Sequence, residues 1–77
     1  MIFVYVIKSQ NKYFRYVGIT NNISRRLNDH NMGKNISTSF YKPFNLIYEE
    51  KYYDYKEARI REKFLKSGQG RKFLDTL

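Results

Sequence analysis

The sequence contains no cysteine. Disulfide scaffolds, thiolate zinc sites and cysteine nucleophiles are therefore excluded together, and the absence is compatible with a reducing compartment without establishing one. Any metal has to be held by oxygen or by the single histidine, His30. A long apolar run is missing too: the longest, Ile2 to Ile7, is far short of the roughly 20 residues that span a bilayer. Nor is there the basic n-region and small-residue cleavage site of a signal peptide, so the expectation is a cytoplasmic protein. Repeats, low-complexity tracts and linkers are absent, and 77 residues leave room for one core, so residues 1–77 read as one domain. Acidic residues are few, seven Asp+Glu against 15 Lys+Arg, for a net charge of +8 and a pI near 9.8. That balance asks for a polyanionic partner, nucleic acid first. The positive charges are spread along the chain, which argues against a membrane surface as that partner.

What the chain does have is enough apolar material to fold, 42% hydrophobic with eight Tyr and six Phe. Ile2 to Ile7 is β-branched and aromatic throughout, the pattern of a strand buried on both faces. Tyr13 to Ile19 reads as the returning strand after the polar stretch Ser9-Gln10-Asn11-Lys12. A turn centred on Gln10 and Asn11 would put Tyr5 opposite Tyr16 and Phe3 opposite Gly18, two phenols side by side on one face. From composition alone they read first as ordinary sheet aromatics, since Tyr favours strands. Thr20-Asn21-Asn22 offers caps for a helix over Ile23 to Asn31, which Gly33 ends. Lys34 to Pro43 has loop composition and is expected to cross the sheet. A third strand opens at Asn45 and runs toward Tyr53. Asp54-Tyr55-Lys56-Glu57 matches a capping box for a helix that stops at Ser67-Gly68, and Arg71 to Leu77 forms a short last helix. The order ββαβα(α) predicts an α+β fold, a three-stranded antiparallel sheet flanked by helices.

Helical spacing puts Ile23, Arg26, Leu27 and His30 on one core-facing stripe and Arg25 on the opposite side. A charged residue on such a stripe needs a partner or a cleft, or else lays its stem over Leu27 and keeps its head in water, with His30 as a boundary residue. Glu62 sits between Ala58 and Leu65 on the second helix. It can pair with Lys66 one turn on, or offer a hard oxygen ligand to a divalent ion such as Mg²⁺.

Phe3-Val4-Tyr5, then Tyr16-Val17-Gly18, Arg26 and His30 on the next helix, and Glu62 in Arg61-Glu62-Lys63-Phe64-Leu65-Lys66 together resemble the GIY-YIG nuclease family, over nearly the whole chain. Ser37-Thr38, Leu46-Ile47-Tyr48 and Lys66-Ser67-Gly68-Gln69-Gly70-Arg71 look similar to its small single-domain bacterial members. Phe3 and Val4 stand where the first motif usually has Gly and Ile. The resemblance implies a metal-dependent cut of a DNA phosphodiester with Mg²⁺ or Mn²⁺. Tyr5 and Tyr16 would match the motif tyrosines, Arg26 the catalytic arginine, His30 the histidine one turn on and Glu62 the metal ligand. A structure-selective or nonspecific endonuclease of DNA repair or DNA-end turnover, monomeric, is the activity expected; an inactive nucleic-acid-binding module of the same fold is the alternative. Lys8, Arg15, Arg25, Lys34, Lys42, Arg59 and Arg71 are the candidate phosphate contacts, and binding through them should fall steeply with salt. An RNA partner is the lesser possibility, with Tyr41, Tyr52 and Tyr53 available to stack on unpaired bases or to pack in the core.

Overall fold

A computed structural model describes residues 1–77, in the order β1 (Ile2–Ser9), β2 (Arg15–Thr20), α1 (Ile23–Asn31), α2 (Ile36–Ser39), β3 (Phe44–Tyr52), α3 (Tyr55–Lys66) and α4 (Gly68–Leu74). The strands form one antiparallel sheet in the order β2-β1-β3. The central β1 is covered on both sides, so its near-continuous apolar run is used in full: Val4, Val6 and Ile7 are completely buried. Val4, Val6 and Val17 pack against Ala58 and Leu65 of α3 and Leu74 of α4. Tyr5, Ile7 and Tyr16 face the other way, toward Ile23 and Leu27 of α1 and Phe44 of β3. One face of the sheet therefore belongs to α1, the other to α3 and α4. No helix is long and apolar enough to cross a membrane.

The helix ends follow the side-chain chemistry. Asn22 Oδ1 accepts the Arg25 N–H at 3.0 Å to start α1, and Gly33 closes it with φ +76°, a value that favours glycine. Asp54 Oδ1 accepts the Glu57 N–H at 3.0 Å to start α3, but no bond returns from the Glu57 side chain, so half of the expected box forms. Asn31, in the last turn of α1, accepts the Phe44 N–H at 2.6 Å and donates to the Phe44 carbonyl at 3.3 Å, tying that helix to the start of β3.

Four sequence expectations are corrected. The turn between β1 and β2 is longer than two residues, because Ser9 Oγ accepts the N–H groups of Asn11 and Lys12 and Ser9 N–H bonds the Phe14 carbonyl at 3.0 Å. Tyr5 consequently lies opposite Gly18, and Tyr16 opposite Ile7, with β2 beginning at Arg15. A displacement of two residues preserves the face, so the two phenols remain diagonal neighbours. The segment Lys34 to Pro43 is not all loop: Asn35 Oδ1 accepts the Ser37 N–H at 3.0 Å and nucleates α2. The third strand starts one residue early, at Phe44, and the last helix covers Gly68–Leu74 rather than Arg71 to Leu77.

A charged cluster clamps α3 to β3. Glu50 accepts hydrogen bonds from Arg61 Nε at 2.9 Å and Arg61 Nη2 at 3.0 Å, and from the hydroxyls of Tyr48 and Tyr52. Burial pushes the Glu50 carboxyl up, but the bonds from Tyr48, Tyr52 and Arg61 and the charge of Arg61 outweigh it and hold it below its ordinary 4.5. A depressed carboxylate contributes stability that is complete above its unfolded-state pKa and is lost as pH falls through the folded-state value. Glu50→Gln should therefore be less stable than the native protein at neutral pH, and the gap should narrow on acidification below the carboxylate range. Urea unfolding of both proteins at pH 7 and pH 3 measures it; a gap that stays constant or widens in acid would contradict this role for Glu50.

Candidate active site

The two strands and α1 bring three of the candidate residues into direct contact. Tyr5 and Tyr16 ring centroids are 6.2 Å apart, and the His30 ring lies 6.0 Å from the first and 5.0 Å from the second. His30 is fully buried and Tyr5 is 1% exposed. The core-facing stripe of α1 therefore forms as its spacing predicted, and burial of its polar member is made tolerable by hydrogen bonds. Tyr5 Oη lies 2.9 Å from His30 Nε2, and Thr38 Oγ1 lies 2.8 Å from His30 Nδ1. The Tyr5 ring reaches across β2 directly over Gly18: a Cβ on that glycine would stand 2.6 Å from Tyr5 Oη.

Arg26 is half-buried beside this group, with Nη1 3.8 Å from Asp29 Oδ2. Arg25, on the outer side of the helix, bonds Asn21 Oδ1 at 3.1 Å in solvent. Burial pushes the Tyr5 phenol up to about 12, with Tyr16 and Glu62 adding to the rise and Arg26 opposing it through its charge and a hydrogen bond. Burial and the positive charge of Arg26 lower the His30 imidazole, against the pull of Asp29, so it is neutral near pH 7. The site thus holds a phenol with its proton, a neutral imidazole hydrogen-bonded to it and a permanent cation alongside.

Glu62 arrives from a different direction. Its helix, α3, packs on the face of the sheet opposite α1, and the Glu62 charge is the smallest of the influences on the Tyr5 phenol. The carboxylate is engaged: Lys66 Nζ donates to Glu62 Oε2 at 3.0 Å, the i,i+4 ion pair that spacing allowed. No group of three or more His, Asp or Glu side chains gathers anywhere in the chain. A single hard oxygen ligand nonetheless fits a divalent ion of the Mg²⁺ type, which keeps several waters and takes further oxygens from a bound phosphate.

A groove of about 870 Å³ is lined by Tyr16 and by Lys8, Arg15, Lys66 and Arg71 among others, and Tyr5, Arg26, His30 and Glu62 lie outside it. Three of the seven predicted phosphate contacts, Lys8, Arg15 and Arg71, are brought together here, and Arg15 also pairs with Asp75 at 2.7 Å. Arg25, Lys34, Lys42 and Arg59 lie outside this groove; Lys34 pairs loosely with Asp29 at 3.6 Å. Of the aromatics considered for base stacking, Tyr53 is 88% exposed, whereas Tyr41 stacks on Phe14 at 3.8 Å and Tyr52 is bonded to Glu50. Sequence reasoning missed Thr38 as the partner of His30 and Lys66 as a groove cation. Ser37-Thr38 was visible only as part of the family likeness, since nothing in the spacing of Thr38 ties it to a helix that ends at Asn31.

Searches among curated proteins and among solved structures return no match. Among protein families, residues 1–73 match the GIY-YIG catalytic domain. That is a nuclease domain: its substrate is nucleic acid, and it generally works with a divalent metal ion. With the match running from β1 through α3 and into α4, over the very strands and helices that carry the two tyrosines, the arginine, the histidine and the glutamate, this chain belongs to the GIY-YIG nuclease family.

Proposed function

We propose that this chain is a small Mg²⁺-dependent endonuclease that hydrolyses DNA phosphodiester bonds, structure-selective or nonspecific, in DNA repair or the turnover of DNA ends. The observation that carries the reading is the Tyr5–His30 contact at 2.9 Å with Tyr16 and Arg26 beside it. A phenol is a poor base while it keeps its proton; a neutral imidazole in line with the hydroxyl provides somewhere for that proton to go. As the water attacks, Tyr5 accepts its proton while passing its own to His30 Nε2, with Arg26 beside the phenol oxygen to offset the negative charge that develops there. The water oxygen bonds to phosphorus as the bond to the departing oxygen breaks, and His30 gives up its proton to that oxygen by way of solvent. Arg26 stabilises charge on the phosphoryl oxygens, and Tyr16, the less buried ring, orients the water. Glu62 would hold the divalent ion, whose chemistry is to neutralise charge on the phosphate. Lys8, Arg15, Lys66 and Arg71 along the groove would track the DNA backbone.

One observation favours the alternative of a binding module without activity: the Glu62 carboxylate is already paired with Lys66. The two are separated by incubating supercoiled, branched and single-stranded DNA with Mg²⁺ and native, Arg26→Ala or Glu62→Ala protein. The nuclease reading expects nicking that EDTA stops and that falls about 10²-fold in either variant, the usual cost of removing one preorganised charged group. Binding of all three proteins to DNA with no nicking by any of them would overturn it. Competition by RNA in the same binding assay tests whether DNA is the preferred polyanion.

A further inference from the structure

His30 is the only histidine in the chain, and each of its ring nitrogens faces one hydroxyl: Nε2 at 2.9 Å from Tyr5 Oη, Nδ1 at 2.8 Å from Thr38 Oγ1. A neutral imidazole carries one proton, so one nitrogen donates and the other accepts. Two proton orders fit the two distances. In one, Thr38 donates to Nδ1 and Nε2–H donates to Tyr5, which leaves the Tyr5 O–H without an acceptor, because its other hydrogen-bonding neighbour, Arg26, has donors alone. In the other, Tyr5 donates to Nε2, Nδ1–H donates to Thr38 Oγ1, and the Thr38 hydroxyl donates to the Asn35 carbonyl at 3.4 Å. Only the second order gives every one of these buried protons an acceptor, in a chain where no buried side-chain nitrogen or oxygen lacks a partner.

We infer that Thr38 is a positioning residue of the site: by accepting the Nδ1 proton of His30 it keeps the Nε2 lone pair directed at Tyr5, so the imidazole is poised to take the phenol's proton. Thr38 is well placed for this. It is fully buried, it sits on α2, and the Asn35 cap that forms this short helix also supplies the carbonyl that receives the Thr38 hydroxyl. The rest of the surroundings offer His30 no substitute. Phe44 of β3 meets the ring edge-on at 5.8 Å, Tyr16 approaches it at 5.0 Å through its ring while both imidazole nitrogens are taken by Tyr5 and Thr38, and Arg26 and Asp29 act on it through charge. The arrangement is the one by which an imidazole's second nitrogen commonly fixes the role of the first, here with a hydroxyl in place of a carboxylate.

The inference rests on the reading of Tyr5 as the phenol that passes its proton on during cleavage, and its test has a readout independent of cleavage. Because His30 is unique, the ¹⁵N spectrum of its ring reports the tautomer without ambiguity. Native protein and Thr38→Ser should both show a protonated Nδ1 and a bare Nε2. Thr38→Val keeps the shape but removes the acceptor, and should show mixed tautomers. Nicking of DNA with Mg²⁺ should fall about 10-fold or more in Thr38→Val and stay within about twofold of native in Thr38→Ser, as for other partners of a catalytic imidazole. A native ring with its proton on Nε2 overturns the assignment, as does a folded Thr38→Val that nicks at the native rate. Should Thr38→Val fail to fold, the native spectrum and the serine variant decide, and loss of the tautomer or of nicking in Thr38→Ser counts against it. Absence of nicking by the native protein overturns the reading beneath it, and the ring spectrum tells that failure from a failure of the Thr38 assignment.

Discussion

Gly70→Ala should melt far below the native protein. A Cβ at this position would stand 2.0 Å from the Phe64 carbonyl oxygen and 2.4 Å from the Leu65 Cα, both backbone atoms that no side-chain rotation can move aside. The approach is this close because Ser67 ends α3 and begins α4 at once: its Oγ donates to the Phe64 carbonyl at 2.6 Å and accepts the Gly70 N–H at 3.2 Å. Forcing α4 outward would pull Leu74 from the core it shares with Leu65 and Val6. The cost should be about 3 kcal/mol or more, where a domain of this size has about 5 in total. A fall in Tm of about 12 °C or more follows. Gly68→Ala, two residues earlier on the same helix, meets nothing within 4 Å and should lie within about 1 kcal/mol of native. Thermal melts of the two variants followed by circular dichroism check the pair. Equal melting temperatures would mean that α4 does not dock as described.

Gly18→Ala should spare most of the fold and remove the activity. The added methyl would come within 2.6 Å of Tyr5 Oη, 2.7 Å of Cζ and 2.9 Å of Cε1, so the end of the ring has to lift from β2. The ring cannot do that and keep its 2.9 Å contact with His30. Overpacking of this kind costs about 1–3 kcal/mol, which the domain can survive. Activity is more sensitive, because Tyr5, His30 and Tyr16 are in mutual contact and shift together. Nicking of supercoiled DNA should fall by about 10³-fold, at the upper end for the loss of a preorganised group. A folded Gly18→Ala protein that nicks within about threefold of native would show that the Tyr5 position is immaterial to the chemistry. The same contact explains the glycine of Tyr16-Val17-Gly18 physically: it clears room for a ring from the neighbouring strand.

Much of this was legible residue by residue. The apolar run of Ile2 to Ile7, the caps at Asn22 and Asp54 and the stop at Gly33 each depend on groups within a few positions of one another, and each element formed where those groups stand. The stripe carrying Arg26 and His30 was readable for the same reason, since helical periodicity is local. The hairpin register was not. A shift of two residues returns every side chain to its own face, so alternation cannot distinguish Tyr5 opposite Tyr16 from Tyr5 opposite Gly18. What decided it was the Ser9 hydroxyl, which lengthened the turn.

The sequence by itself determined the strands and helices, the faces on which Tyr5, Tyr16, Arg26 and His30 lie, and the family, because each is written in short spacings or in an ordered set of motifs. Only the tertiary structure decided that Tyr5 rests on Gly18, that Thr38 holds His30, and that the helix carrying Glu62 packs against the face of the sheet opposite the phenols. These contacts join residues eight or more positions apart, and hydrogen bonding and steric fit at such separations depend on how the elements dock, which no local pattern encodes.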